Sequence, residues 1–154
     1  MKGSDSVSYR KGLTKDLKLI YEMERKCFNE YDCLKPRQIN WYLKNQFSSV
    51  LVDIIAADEN DVGWASFFTR KNSKTIRLYS LCIIPEYGGR GYARQYLLKR
   101  MGDLSGYDKL VLEVRAGNEK AISLYKKLGF TIKKSLPGYY PDGEDGLKMI
   151  KIIR

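Results

Sequence analysis

The segment Ile84-Pro85-Glu86-Tyr87-Gly88-Gly89-Arg90-Gly91-Tyr92-Ala93 decides how this chain is read. Before it, Leu78, Leu81, Ile83 and Ile84 form an apolar run with Tyr79 and Cys82 among them, the signature of a buried strand. After it, Ala93, Tyr96, Leu97, Arg100, Met101 and Leu104 recur at helical spacing. A glycine-rich turn between a strand and a helix leaves backbone N–H groups without acceptors, at the positive end of a helix dipole. Such a turn suits a phosphate or pyrophosphate. Glycines at 88, 89 and 91 let that ligand approach the backbone. No Gly-Lys-Ser/Thr follows, and the spacing misses Gly-x-Gly-x-x-Gly, so neither a P-loop nor a dinucleotide fingerprint is present.

The chain has 154 residues, enough for one domain with a single core over residues 1–154. No apolar run approaches the roughly 20 residues that span a bilayer, and Met1-Lys-Gly-Ser-Asp-Ser6 lacks the apolar core of a signal peptide. No membrane partner is expected. Three cysteines, Cys27, Cys33 and Cys82, make an odd count without metal-ligand spacing. Reduced thiols, a cytoplasmic location and no metal are the expectation. There is no histidine, which excludes Ser-His-Asp and Cys-His catalysis, the usual zinc sites and imidazole acid–base chemistry. Any catalysis must use carboxylates, tyrosines, thiols, amines or backbone dipoles. The net charge of +10 attracts anions, either a phosphate-bearing cofactor or RNA in the vicinity of a ribosome. Basic residues are spread along the chain with no arginine-rich arm, which favours the cofactor.

Strands are expected at Val7–Lys11, Ser48–Asp58, Val62–Arg70, Thr75–Ile84, Lys109–Arg115, Phe130–Leu136 and Leu147–Ile153. Helices are expected over Lys15–Cys27 with Thr14 as N-cap, from Pro36 to near Gln46, after Gly91, and over Glu119–Leu128. Asn118 caps the last helix and Gly129 ends it in the left-handed conformation, with Phe130 packing back. The order β-α-α-β-β-β-α-β-α-β-β is that of an α/β sandwich on a mixed sheet.

Glu113 stands out in Lys109-Leu-Val-Leu-Glu-Val-Arg115, between Leu112 and Val114 in an otherwise apolar strand. An ionised carboxylate there is costly without a partner. It is either a base whose pKa is raised by desolvation or half of an ion pair with Arg115, two residues on along the same face. Tyr125 lies on the apolar face of its helix, where a tyrosine is ordinarily core. Tyr139 and Tyr140 stand together in a Pro/Gly-rich loop, a setting that suits a binding surface.

The strand order, the glycine-rich segment and Asn118-Glu-Lys-Ala-Ile-Ser-Leu-Tyr-Lys-Lys-Leu-Gly-Phe130 together resemble the GNAT superfamily of N-acetyltransferases. The resemblance implies a twisted, mostly antiparallel mixed sheet of about seven strands flanked by four helices. It also implies acetyl-CoA as cosubstrate. Its pyrophosphate turn, Arg/Gln-x-x-Gly-x-Gly/Ala, falls on Gly88, Gly89, Arg90, Gly91, Tyr92 and Ala93, with Gly88 where Arg or Gln is expected. By the same resemblance Cys82, Ile83 and Ile84 run along the acetyl-CoA arm and Asn118 touches the coenzyme. Glu113 serves as general base, and Tyr125 protonates the leaving thiolate. Leu112-Glu-Val-Arg115 and Gly138-Tyr-Tyr-Pro-Asp-Gly-Glu-Asp-Gly-Leu-Lys-Met149 are similar to the protein N-terminal acetyltransferases, among them the ribosomal-protein alanine and archaeal branch. That likeness places Phe28, Glu30, Tyr31, Tyr139 and Tyr140 around the acceptor. Several of those enzymes carry a catalytic His, Glu or Tyr where this chain has Arg77, which cannot act as a base at neutral pH.

An α-amine with pKa about 8 is roughly one-tenth neutral at pH 7, and a lysine near about 10.4 is several hundredfold less so. That difference, about 3 kcal/mol, favours the α-amine of a protein N-terminus as acceptor. A small amine of the polyamine class is the alternative, for which Glu30, Asp32, Glu144 and Asp145 would supply carboxylates. A CoA-binding regulatory module without catalysis is the third reading.

Overall fold

The computed structural model describes residues 6–154. Seven strands form one sheet: β1 (Val7–Lys11), β2 (Val50–Ala57), β3 (Asn60–Phe68), β4 (Thr75–Ile83), β5 (Lys109–Arg115), β6 (Thr131–Leu136) and β7 (Gly146–Ile152). Their spatial order is β1-β2-β3-β4-β5-β7-β6, and every neighbouring pair is antiparallel except β4 and β5. Four helices cover it: α1 (Leu17–Cys27), α2 (Pro36–Lys44), α3 (Tyr92–Gly102) and α4 (Glu119–Lys127). The expected seven strands and four helices are all present in the expected order.

Alternation along the strands sends side chains into two cores. One, under α3 and α4, holds Ile55, Phe67, Ile76, Leu78, Tyr96, Leu97, Leu110 and Leu112. The other, under α1 and α2, holds Ile20, Met23, Ile39, Leu43, Val52, Ile54, Trp64 and Cys82. Glu113 and Arg115 therefore fall on the face opposite to Leu110, Leu112 and Val114, as period-two geometry requires. In β4, Ser66 faces Ser80 while Phe67 faces Leu78, so Tyr79 is an extra residue, a β-bulge. Pairing between β4 and β5 covers only Thr75↔Lys109, Ile76↔Leu110 and Arg77↔Val111. Beyond Arg77 the two strands part.

Two local expectations need correction. Thr14 does not cap α1: Thr14–Asp16 is a 3-10 turn, and the Asp16 carboxylate accepts the Leu13 N–H at 2.8 Å while pairing with Arg10 at 2.9 Å. Asp16 is preferred because its two oxygens can hold a backbone donor and a guanidinium at once. The cysteines are not all reduced either. The Cys27 and Cys82 sulfurs are bonded across 55 residues of sequence, with Cα atoms 6.3 Å apart, and Cys33 is left as the free thiol. An odd count is compatible with one bridge. The partners meet only because the C-terminal end of α1 packs on β4. The bridge removes the cysteine argument for a reducing compartment and occupies the Cys82 sulfur.

Glu24 of α1 is fully buried, beside Ile20 and Met23. Its carboxylate accepts the Trp64 indole N–H at 3.0 Å and the Leu34 backbone N–H at 2.9 Å. It thereby fastens the loop that follows α1 to the middle of the sheet. Burial raises its pKa, and the Leu34 and Trp64 donors oppose that shift. Replacing Glu24 by Gln turns an amide NH2 toward one of these two donors. The expected cost is about 1–3 kcal/mol, read as a lower urea midpoint at unchanged slope. An unchanged midpoint would show that the two donors do not depend on this carboxylate.

Candidate active site

The turn before α3 is built as the glycines suggest. Gly89 and Gly91 have φ of 76° and 79°, the left-handed region, and a Cβ at either would meet nothing within 4 Å. Gly91 is the N-cap of α3 and no side chain caps the helix. The first backbone bond across the turn runs from Gln95 N–H to Gly91 C=O at 3.0 Å. Among the described residues, the N–H groups from Gly89 to Arg94 have no acceptor. A row of donors at a helix N-terminus facing open space is a site for an anion.

That row forms one wall of a cleft of ≈ 610 Å³ bounded by the end of β4, the start of α3 and the length of α4. The cleft is lined by Cys82, Ile83, Gly88, Gly89, Gly91, Tyr92, Ala93, Asn118 and Tyr125, nine of the residues expected to contact a coenzyme. Two others depart. Ile84 is buried in the core under α1 and α2, and Arg90 lies outside the lining with its guanidinium over the Tyr87 ring at 5.4 Å. Leu81, Tyr87, Lys120, Ser123 and Lys127 also line the cleft and were not anticipated. Lys120, Ser123 and Lys127 recur at helical spacing on the polar side of α4, a stripe that looks like ordinary solvated surface in sequence. Asn118 does cap α4, its side-chain oxygen accepting the Ala121 N–H at 3.1 Å. Gly129 has φ of 96°, and Phe130 folds back to put its ring 5.5 Å from that of Tyr125.

Burial pushes the Tyr125 phenol up to about 12, with Tyr140 adding to the shift. The Tyr140 phenol also rises to about 12, through burial first and the neighbouring Tyr139 second. Glu113 acts on Tyr140 in the same direction. Tyr140 thus feels Glu113 on one side and acts on Tyr125 on the other.

Glu113 pairs with Arg77, Nη2 to Oε1 at 2.6 Å, and not with Arg115. The isolated carboxylate of the sequence reading is half of an ion pair, because the short β4–β5 ladder brings Arg77 beside it. Arg115 is the hub of the opposite rim. It holds Asp32 at 2.8 Å, Glu144 at 2.8 Å and Asp142 at 2.9 Å, with its guanidinium 4.3 Å above the Tyr140 ring. Its own pKa is raised, first by the bond to Asp32 and then by that to Glu144. Of the expected acceptor residues, Phe28 lines the main cleft as well as a second hollow, which Glu30 also lines. Tyr139 and Tyr140 meet edge to face at 5.0 Å, and Tyr139 accepts from Arg77 at 3.4 Å. Tyr31 is 84% exposed and lines neither hollow.

Residues 17–130 match the acetyltransferase (GNAT) family. The chain belongs to it. It is 40% identical over 75 residues to an N-alpha-acetyltransferase of Saccharolobus solfataricus, 47% of this chain and 45% of that one. The chain spans about half the length of the curated relatives it matches. Among solved structures, the ribosomal-protein alanine N-acetyltransferase of Escherichia coli superposes with TM-score 0.83 at 26% identity, covering 96% of this chain and 94% of that one. A spermidine N-acetyltransferase of Vibrio cholerae, solved with CoA and spermine, gives TM-score 0.83 at 16% identity with 97% of both chains covered, a likeness of fold. No helix among the described residues is long and apolar enough to cross a membrane.

Two outcomes are expected. Gly91→Val places a branched side chain in the open face of the turn, and a non-glycine residue at that φ costs about 1–2 kcal/mol. Titration with CoA should weaken at least tenfold while the circular dichroism spectrum is retained, and unaltered affinity would remove the turn from the site. Peptide mapping of air-oxidised protein without reductant should recover Cys27 linked to Cys82, with Cys33 alone alkylated. Three alkylated thiols would contradict the bridge.

Proposed function

We propose that this chain moves the acetyl group of acetyl-CoA directly to the α-amine of a protein N-terminus. The carrying observation is one continuous cleft, running from the acceptor-less N–H row of the Gly89–Arg94 turn to Tyr125 at its inner end. The pyrophosphate would sit on the turn and the helix dipole, with Lys120 and Lys127 on the facing wall. The thioester would lie along β4 past Arg77, where the strand has lost its β5 partner and its backbone donors are available to polarise a carbonyl oxygen.

The acceptor amine would meet Glu113 from the other face. Its Oε1 is held by Arg77, and the carboxylate takes no other partner among the described residues. The second oxygen, directly or through a water, takes the proton that the amine sheds after attack. Tyr125 remains protonated at neutral pH because its pKa stands near 12. Full transfer to a thiolate whose acid has a pKa of about 8.5 is uphill by roughly 5 kcal/mol. Tyr125 therefore stabilises the leaving sulfur by hydrogen bonding, without surrendering its proton.

Protein N-termini are favoured over polyamines because three of the four rim carboxylates, all but Glu30, are already engaged. Asp32 and Glu144 bond Arg115, Glu144 also accepts the Gly117 N–H at 2.9 Å, and Asp145 accepts the Gly138 N–H at 2.8 Å. A polycation would have to draw them from internal donors. Acetyl-CoA and nascent chains share the cytoplasm, where this reading places the reaction and where the Cys27–Cys82 bridge would be reduced. The charge of +10 suits a protein working beside ribosomal RNA.

The test offers acetyl-CoA with peptides bearing free or blocked α-amines and with spermidine, following CoA release. Free-amine peptides should be acetylated and blocked ones not. Glu113→Gln should lower kcat by about 100-fold or more and Tyr125→Phe by roughly 10- to 100-fold, both with unchanged CoA affinity. Turnover of spermidine with none of any peptide would reject the proposal.

A further inference from the structure

Arg77 is the last β4 residue paired with β5, and Glu113 stands two residues beyond its partner Val111. Their ion pair bridges the point where the strands separate. The guanidinium is fixed on three sides: Glu113 at 2.6 Å, the Tyr139 hydroxyl at 3.4 Å and the Tyr79 ring 5.3 Å from its centre. Both polar contacts use Nη2; the side chain is 36% exposed, and among the described residues Nη1 has no hydrogen-bond partner. A guanidinium N–H left open beside a carboxylate is free to take an acceptor from a ligand.

Resting on the Nα-transfer reading above, we propose that Arg77 selects acceptors whose first residue is acidic, by binding the side-chain carboxylate of an N-terminal Glu or Asp. Glu113 and Arg77 present a negative and a positive group side by side. An N-terminal Glu or Asp presents the complement: an α-amine, and a carboxylate a few bonds away. When such a residue enters, the amine meets the free oxygen of Glu113 and the carboxylate meets the unsatisfied edge of Arg77, so every charge keeps a partner. A neutral first residue leaves Nη1 without an acceptor. A polyamine brings a second cation up to Arg77 with nothing to offset it. The guanidinium is already held by Glu113, Tyr139 and the Tyr79 ring, so little ordering is needed on binding, and its planar fork matches a carboxylate. Lysine at this position would keep the charge and lose the fork.

The test compares matched peptides that differ only in the first residue: Glu against Gln, Asp against Asn, with Ala as reference and free glutamate as the non-peptide control. The wild-type protein should give a kcat/KM for Glu over Gln of at least tenfold, carried mainly by KM. Arg77→Met, which keeps the length of the stem, should bring that ratio close to one, and Arg77→Lys should leave an intermediate value. Calorimetric titration of the Glu peptide into the protein with CoA bound reads the same contact without turnover, and should show the same loss in Arg77→Met. CoA binding and thermal melting of each variant confirm that the fold and the coenzyme site are intact. A wild-type Glu-to-Gln ratio of one or less, or a ratio that survives Arg77→Met, overturns the inference and leaves Nα transfer standing. Free glutamate acetylated as well as the peptide overturns it in favour of an amino-acid acceptor. Failure of every free-amine peptide, Ala included, rejects the Nα reading itself and this inference with it.

Discussion

The parting of β4 from β5 is the constraint on which the rest of the molecule depends. A parallel ladder of three residue pairs ends at Arg77 and Val111, directly before the bulge at Tyr79. A bulge raises local twist and bends its strand, and here it turns β4 away from its neighbour. On its other side β5 is tied to β7 over all seven residues, so it stays in the sheet while β4 leaves it. The result is a wedge-shaped gap in the middle of an otherwise continuous sheet. One wall carries β4 backbone groups without ladder partners, and the other carries Glu113. The cleft lies along the part of β4 that the ladder leaves free, with α4 as its far wall.

Arginines organise what borders that gap. Arg77 ties Glu113 and Tyr139 together where the gap begins, and Arg115 draws Asp32, Asp142 and Glu144 from two loops onto one guanidinium. Each arginine offers five donors in a fixed plane, which is why one residue can orient several carboxylates. The loop from Pro137 to Asp145 has few apolar contacts of its own, and its shape follows from Arg115, the Tyr139–Tyr140 contact and the Asp145–Gly138 bond. Glu24 does the equivalent for the loop after α1, from inside the core. The loops around Arg115 are thus held by charge and hydrogen bonding, while the turn before α3 is held by strand and helix geometry.

That division explains which parts of the site were legible in sequence. The glycine turn before α3 was, because glycine at 89 and 91 is a direct record of positive φ and because the donors belong to the backbone. Asn118 and Gly129 were, since caps are local. The partner of Glu113 was not: Arg115 lies on the same strand face, but Arg77 arrives across a parallel ladder from 36 positions away (113 − 77). The Cys27–Cys82 bridge and the burial of Glu24 depend in the same way on α1 packing against β4 and β3. Lys120 and Lys127 were passed over because a basic stripe on a helix is ordinary surface until a cleft is known to face it.

The sequence by itself determined the order and type of the elements, the family, the anion-binding turn and the two side chains, Glu113 and Tyr125, around which the chemistry is proposed. These rest on short-range rules: periodicity, capping and the φ freedom of glycine, each acting over a few residues. Only the tertiary structure decided that β4 and β5 separate after three pairs, and that Arg77 rather than Arg115 neutralises Glu113. It also decided that Asp32, Asp142 and Glu144 are spent on Arg115, that Arg77 keeps an unsatisfied donor, and that two of three cysteines meet. These are pairings between residues distant in the chain, and they are fixed by where strands and helices pack. No local pattern encodes which of several possible charged partners a side chain will reach.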